Sequence, residues 1–215
     1  MFVLVACEES QEVTKAFRAK GHLAFSCDLQ PCSGGHPEWH IQSDVLLLLD
    51  GRCSFTTSAG ITFSIFGRWD LIIAHPPCTY FSRVNFLNYF RNGKFNHSRY
   101  EKALDSAKFF MRILNADCDR ICVENPLPMS LFKDILPPYS MRFQPYEFGE
   151  PYSKLTCLWL KGLPYLMPTI VCSEHYPFIT ISSNFPKSFA NQSRQRSKTF
   201  RGVALAMAEQ WGNCD

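Results

Sequence analysis

Short apolar runs alternate with segments of helical periodicity along this 215-residue chain, and each run closes on a polar residue or a turn. "FVLVAC" (Phe2 to Cys7) leads into "SQEVTKAFRAKGH", where Val13, Ala16 and Phe17 share one helical face. Ser10 stands at its cap position and Gly21 at its stop. "HLAFSCD" (His22 to Asp28) and "WHIQSDV" (Trp39 to Val45) predict the next strands, each reaching an aspartate, with the Pro/Gly/Ser-rich "LQPCSGGHPE" looping between them. "CSFTT" and "ITFSI", split by "SAG", predict a hairpin inserted before the strand of "DLIIAHPP". Ala103, Ala107, Phe110 and Leu114 are spaced as a helix, "RICVENP" (Arg120 to Pro126) is another buried strand, "KLTCLWLKG" (Lys154 to Gly162) a late one, and "FRGVALAMAEQW" a closing helix. Such alternation predicts an α/β fold with a doubly wound sheet, whose ligands sit at the carboxyl ends of its strands.

At 46% hydrophobic content, a chain of this length can bury one good core, so a single domain over 1–215 is expected. A net charge of +3 permits a nucleic-acid partner without requiring one. Ten cysteines could mean a disulfide framework, but "MFVLVACEES" lacks the basic start and cleavage site of a secretory signal, and no apolar run is long enough to span a membrane. The expectation is a reduced, cytoplasmic protein with free thiols and no membrane partner.

The polar residues of interest fall at the predicted strand ends: Cys7-Glu8-Glu9, Asp28, Asp44, the loop of Cys78, and Glu124. Singly, each has an ordinary reading, since cysteine is often a small buried hydrophobe and aspartate a turn or cap residue. In "AHPPCTYFS", Pro76 and Pro77 stop the ladder and stiffen the loop that presents Cys78. A carboxylate directly after "ICV" is costly when ionised unless paired, which predicts a protonated or hydrogen-bonded Glu124. Cys27, Cys32, His36 and His40 lie close together in sequence in the manner of a zinc clip, but Cys27 sits in strand pattern and no second Cys-x-x-Cys supports it, so no metal is expected.

"PPCTYFS" resembles the nucleophile loop of DNA cytosine-5 methyltransferases, and "VENP" is similar to that family's Glu-Asn-Val, one strand later. More closely, "VACEESQEVTKAFRAKGH", "CDLQPCSGGHPEWHIQSDV", "WDLIIAHPPCTY", "KLTCLWLKGLPYLMPT" and "GVALAMAEQW" resemble the compact methyltransferase-like proteins of phages and prophages over nearly the whole length. The resemblance implies a Rossmann-like methyltransferase sheet with an inserted hairpin and no large target-recognition domain. It also implies a cofactor half over about 1–70, a catalytic half over about 70–163, a short recognition segment over about 164–198 and the closing helix over about 199–212. The activity implied is transfer of a methyl group from S-adenosylmethionine to carbon 5 of cytosine in DNA, presented as a single strand or an extruded base.

In that chemistry Cys78 adds to carbon 6 of the ring, Glu124 donates a hydrogen bond to ring nitrogen 3, Asn125 organises the loop and Pro77 fixes the thiol's approach. His75 could lower the thiol pKa or serve as a hydrogen-bonded strand-end histidine. The cofactor would lie against Cys7, Glu8, His75 and Pro76, with Glu8 receiving its ammonium group and Asp28 and Asp44 its ribose and adenine. "ACEES" carries side chains where the family has glycines. Ser82 belongs to the loop that closes on the base. Lys154 and Thr156 match the order of the family's Gln-x-Arg-x-Arg strand, whereas Arg194 and Arg196 in "QSRQR" match its identity and suit a phosphate contact. In the loop after Cys78, Arg83, Arg91, Lys94 and Arg99 interleave with Phe86, Tyr89, Phe90 and Phe95, as a poorly discriminating nucleic-acid contact or a mobile lid would. The rival functions are a catalytically silent binder of nucleic acid or cofactor, and an amino-group DNA methyltransferase. The cysteine and glutamate argue against the first, His75 before Pro-Pro against the second.

Overall fold

A computed structural model of the chain describes residues 1–174, 176–177 and 198–213. Seven strands form its central sheet. Along the chain they are β1 (Phe2–Ala6), β2 (Leu23–Asp28), β3 (His40–Gln42), β4 (Leu71–Ala74), β5 (Ile121–Pro126), β6 (Met141–Phe143) and β7 (Thr156–Lys161). In space the order is β6-β7-β5-β4-β1-β2-β3. The pairs from β3 across to β5 are parallel, and β7 runs antiparallel to both of its neighbours. The chain winds outward from β1 to β3, then returns to the other side of β1 to lay down β4. At that reversal the loops after two adjacent parallel strands lead away in opposite directions, leaving a crevice outside their carboxyl ends.

Both faces of the sheet are covered, which is why the strands are nearly continuous apolar runs. On one face Val3, Val5, Leu71, Ile73, Cys122 and Leu158 pack with α1 (Glu12–Ala19) and α3 (Arg201–Trp211), through Val13, Phe17, Val203, Met207 and Trp211. On the other face Leu4, Ala6, Ile72, Ala74, Ile121, Val123 and Trp159 meet α2 (His97–Leu114) through Ala103, Ala107, Phe110 and Ile113. The alternation of these lists along each strand is the period of two that a pleated strand imposes. The fold is therefore the doubly wound α/β sheet expected. The inserted hairpin is present too, as Cys53–Thr56 against Thr62–Ile65, and its Phe55 and Phe63 rings pack edge-on against Phe25 of β2 at 5.1 and 4.8 Å.

Local chemistry explains where the elements differ from expectation. Ser10 does not cap α1; the cap position is Gln11, in the left-handed region at φ 60°, and a carboxylate from Glu8 takes over the capping. Gly21, at φ 85°, does end the helix, its N–H returning to Arg18 O at 2.9 Å. The strand expected from Trp39 to Val45 is reduced to His40–Gln42, because single turns of 3-10 helix occupy Pro37–Trp39 and Val45–Leu47. The second of these is set by Asp44, whose carboxylate accepts from Leu46 N at 3.0 Å.

Trp211 is fully buried between α3 and the sheet, and its indole N–H donates to Pro164 O at 3.1 Å. Trp211→Ala is expected to lower the unfolding free energy by about 3–5 kcal/mol, measured by denaturant titration.

Candidate functional site

β4 stops because Pro76 and Pro77 have no N–H to offer a ladder. The next residue, Cys78, is half-buried, and the chain turns immediately behind it, with the N–H groups of Phe81 and Ser82 both donating to its carbonyl at 3.1 Å. This loop is tied to the segment that follows β5. The Asn125 side-chain amide donates to Pro76 O at 2.9 Å, Arg83 N donates to Leu127 O at 3.3 Å, and Met129 N donates to Phe81 O at 2.9 Å. Ser82 and Pro128 form an antiparallel bridge, and Phe81 is buried edge-on against Phe132 at 5.2 Å. The Pro-Pro-Cys and Glu-Asn-Pro motifs, nearly fifty residues apart in sequence, thus form one laced unit at the ends of neighbouring strands. In it Asn125 and Pro76 have structural ties, Pro77 is exposed, and buried Ser82 acts through its backbone.

On the face of the sheet carrying α1 and α3, His75 Nδ1 lies 3.1 Å from Glu124 Oε2, and only 10% and 12% of the two side chains remain exposed. The Thr199 hydroxyl, on the segment entering α3, lies 3.4 Å from both groups. Burial acts to raise the Glu124 carboxyl, but the hydrogen bond and charge of His75, the charge of Lys154 and the Thr199 hydroxyl outweigh it. The carboxyl is held below its usual range. Burial acts to lower His75, but the Glu124 hydrogen bond and charge, with the charge of Glu8, outweigh it against Lys154, and the imidazole is raised. Of the two expected states, protonated or hydrogen-bonded, Glu124 takes the second, its partner an imidazole that the apolar "ICV" run does not reveal. His75, expected beside the cofactor, has Glu124 as its near partner through Nδ1.

The turn after β1 is built unlike the expected approach for a cofactor. Buried Glu8 directs both carboxylate oxygens at the start of α1, accepting from Val13 N at 2.6 Å, Thr14 N at 3.2 Å and Thr14 Oγ1 at 2.7 Å. It caps the helix, where free N–H groups and the dipole favour a negative charge, so both of its oxygens are engaged within the turn. Cys7 and Gln11, on either side, are both left-handed, at φ 58° and 60°. Gln11 holds its conformation through its amide, whose Nε2 donates to His36 O at 2.9 Å and Ser26 Oγ at 3.2 Å, while Oε1 accepts from His36 N at 3.0 Å and Cys32 Sγ at 2.9 Å. The loop after β2 folds onto this turn so closely that a Cβ on Gly34 would stand 2.5 Å from Ser10 O.

Asp28 and Asp44 stand at the carboxyl ends of β2 and β3. Each closes a turn, Asp28 Oδ1 accepting from Gln30 N at 2.8 Å and Asp44 Oδ1 from Leu46 N at 3.0 Å. Burial, then the charge of Asp28, Cys27 and Asp44, push the Cys7 thiol far above its usual value, so Cys7 faces these acids as a neutral thiol. The four residues of the zinc pattern go to separate partners: Cys27 to Ser43 O, Cys32 to Gln11, His36 to Glu38, and His40 between Ser26 Oγ and Gln30 O. Among the described residues no group of three or more such side chains could hold a metal ion, and no helix is long and apolar enough to cross a membrane.

Lys154 places its ammonium 5.7 Å from the Phe200 ring and acts electrostatically on both His75 and Glu124. Thr156 is buried and its hydroxyl donates to Lys154 O at 3.0 Å. Arg194 and Arg196 lie outside the described residues, as does most of the expected recognition segment. Thr199 is the site residue that sequence reasoning missed; a threonine before a helix carries no signal of a partner 75 positions away.

No protein-family model and no curated protein matches the sequence. Solved structures do. A DNA modification methyltransferase encoded within an E. coli prophage is similar with a TM-score of 0.48 and 13% identity over 80% of this chain and 52% of that one. The DNMT2 protein of Spodoptera frugiperda, in a triply substituted form, is similar with a TM-score of 0.39 and 16% identity over 86% and 57%. The chain spans just over half the length of either.

The ion pair has a pH signature. Glu124, lowered from 4.5, contributes stability above that value and loses it as pH falls through its folded value. His75, raised from 6.5, contributes below that value and loses it as pH rises through its folded value. A double-mutant cycle with His75→Gln and Glu124→Gln is expected to give its largest coupling between pH 4.5 and 6.5. The size should be on the order of 1–3 kcal/mol, declining on both sides.

Proposed function

We propose that the chain is an S-adenosylmethionine-dependent DNA methyltransferase acting on carbon 5 of cytosine. The observation that carries the reading is the lacing of the Cys78 loop to the Glu124-Asn125 strand end, with the Asn125 to Pro76 hydrogen bond at its centre. Carbon 5 of cytosine is a poor nucleophile. A thiolate from Cys78 adding to carbon 6 makes the ring an enamine, and hydrogen bonding or proton donation at ring nitrogen 3 from Glu124 absorbs the charge that the addition develops. Asn125 keeps Pro76 in place and so sets the direction from which Cys78 reaches an extruded base. Lys154, near the same pair, adds positive charge for the base or a phosphate.

The fit of the cofactor is supported on one side of the crevice. Asp28 and Asp44 use one carboxylate oxygen each on their own turns, and the other has no partner among the described residues, which suits the hydroxyls of a ribose. Cys7, a neutral thiol beside them, suits an uncharged contact. The helix N-terminus of α1 is closed by Glu8, so the carboxylate of the cofactor takes other donors. When bound, S-adenosylmethionine supplies an electrophilic methyl group. The closed turn also favours a second reading, a protein of this fold that binds nucleic acid without methylating it.

Mass spectrometry of nucleosides from a host lacking its own cytosine methylation separates the two: 5-methylcytosine supports the enzyme, and its absence with retained DNA binding supports the binder. Cys78→Ser is expected to abolish methyl transfer and covalent capture of 5-fluorocytosine DNA while leaving the melting temperature unchanged, because a serine hydroxyl is not ionised at neutral pH. Asp28→Ala is expected to weaken S-adenosylmethionine binding by about tenfold, read by calorimetry, as one charge-assisted hydrogen bond is lost.

A further inference from the structure

We propose that His75 is the proton source for Glu124, a positioning residue through which that carboxyl receives the proton it donates to the base. The inference rests on the cytosine reading above and concerns the chemistry of the same site. Glu124 must give a proton or a hydrogen bond to ring nitrogen 3, yet its Oε2 faces an imidazole nitrogen at 3.1 Å. His75 Nδ1 has Glu124 as its near partner and the Thr199 hydroxyl as a longer one, at 3.4 Å, while Nε2 is buried without a hydrogen-bond partner among the described residues. The ring therefore has one strong acceptor through which a proton can leave, and that acceptor is the carboxyl that needs it. Chain geometry couples the pair to the nucleophile: His75 is three residues before Cys78, its N–H is fixed to Ala6 O at 3.0 Å, and Asn125, next to Glu124, holds the intervening Pro76.

The step balances with groups already named. The Cys78 thiolate forms a bond to carbon 6; the electron pair of the 5,6 double bond moves to the bond between carbons 5 and 4, and the pair of the carbon 4 to nitrogen 3 double bond moves to nitrogen 3. Nitrogen 3 takes a proton from Glu124, which takes the Nδ1 proton of His75. Thiolate and imidazolium are consumed together, leaving a neutral adduct and a neutral imidazole in a site that cannot hydrate a stranded charge. Expulsion of the thiol returns the proton by the same route. The charged and titratable groups around the imidazole are Glu124 on β5, Glu8 at the start of α1, and Lys154 before β7, with uncharged Thr199 before α3. The two carboxylates favour the protonated ring and Lys154 opposes it.

Release of tritium from carbon 5 of cytosine in a single-stranded oligodeoxynucleotide reports adduct formation without a methyl donor, so it does not depend on how the cofactor binds. The wild-type rate is expected to rise with pH as Cys78 ionises and then fall along an alkaline limb. That limb should coincide with the His75 titration followed by ring NMR signals in the folded Cys78→Ser protein. His75→Gln, which keeps a donor toward Glu124 but holds no transferable proton, is expected to slow release about a hundredfold and to abolish the alkaline limb. A limb that does not coincide with the His75 titration, or a folded His75→Gln protein with an unchanged pH profile, overturns the inference while leaving the cytosine reading in place. No release at any pH, together with no capture of 5-fluorocytosine DNA, overturns both.

Discussion

A mostly parallel sheet covered by helices on both faces leaves its polar side chains one place to go, the loops beyond the strand ends. This chain's sheet obeys that limit: β1 and β4 are buried along almost their whole length, and Cys7, Glu8, His75 and Cys78 follow within a few residues of their last ladder positions. The order of strands places those two ends side by side, and β5 brings Glu124 and Asn125 in next to β4. Proximity of the chemistry-bearing groups is thus a consequence of topology. The hydrogen bonds between the two motifs then convert proximity into fixed direction.

Electrostatics at this end of the sheet are arranged in pairs rather than as isolated charges. Glu8 meets a helix N-terminus, Glu124 an imidazole, and Asp28 and Asp44 the amides of their own turns. For Glu124 the pairing outweighs a burial cost that would otherwise raise the carboxyl, whereas for buried Glu8 burial still holds the carboxyl above its usual range. The left-handed Cys7 and Gln11 show the same logic in the backbone. A non-glycine residue there is strained by about 1–2 kcal/mol, and the buried amide of Gln11, with every polar atom engaged, holds it.

The strands and helices were legible because apolar periodicity reports directly on burial: Val13, Ala16 and Phe17, or Ala103, Ala107 and Phe110, do pack inward. The candidate positions at the strand ends were legible for the same reason. What each side chain does there was not. Glu8 reads as a ligand in a string of letters, and becomes a cap only once the turn of α1 swings its amides back over β1. His75 and Glu124 pair across neighbouring strands, and Thr199 reaches them from the other end of the chain. Contacts of that kind depend on register and layer order, which no local pattern carries. Thr156 likewise makes a contact that no pattern carries, its hydroxyl donating to Lys154 O in its own turn.

The packing of α1 against α3 has a bearing on how the chain is made. The two helices lie on one face and are joined at their surface by the Lys20 and Glu209 ion pair, whose members are 189 positions apart. A chain emerging from its N-terminus lays down β1 and α1 early, but the apolar stripe of Val13, Ala16 and Phe17 lacks much of its cover until Val203, Met207 and Trp211 have been added. Loops of that span close slowly, and exposed apolar stripes invite the wrong partner in the interval. Docking of α3 therefore completes the cover of that face, and without it the stripe on α1 stays open to solvent.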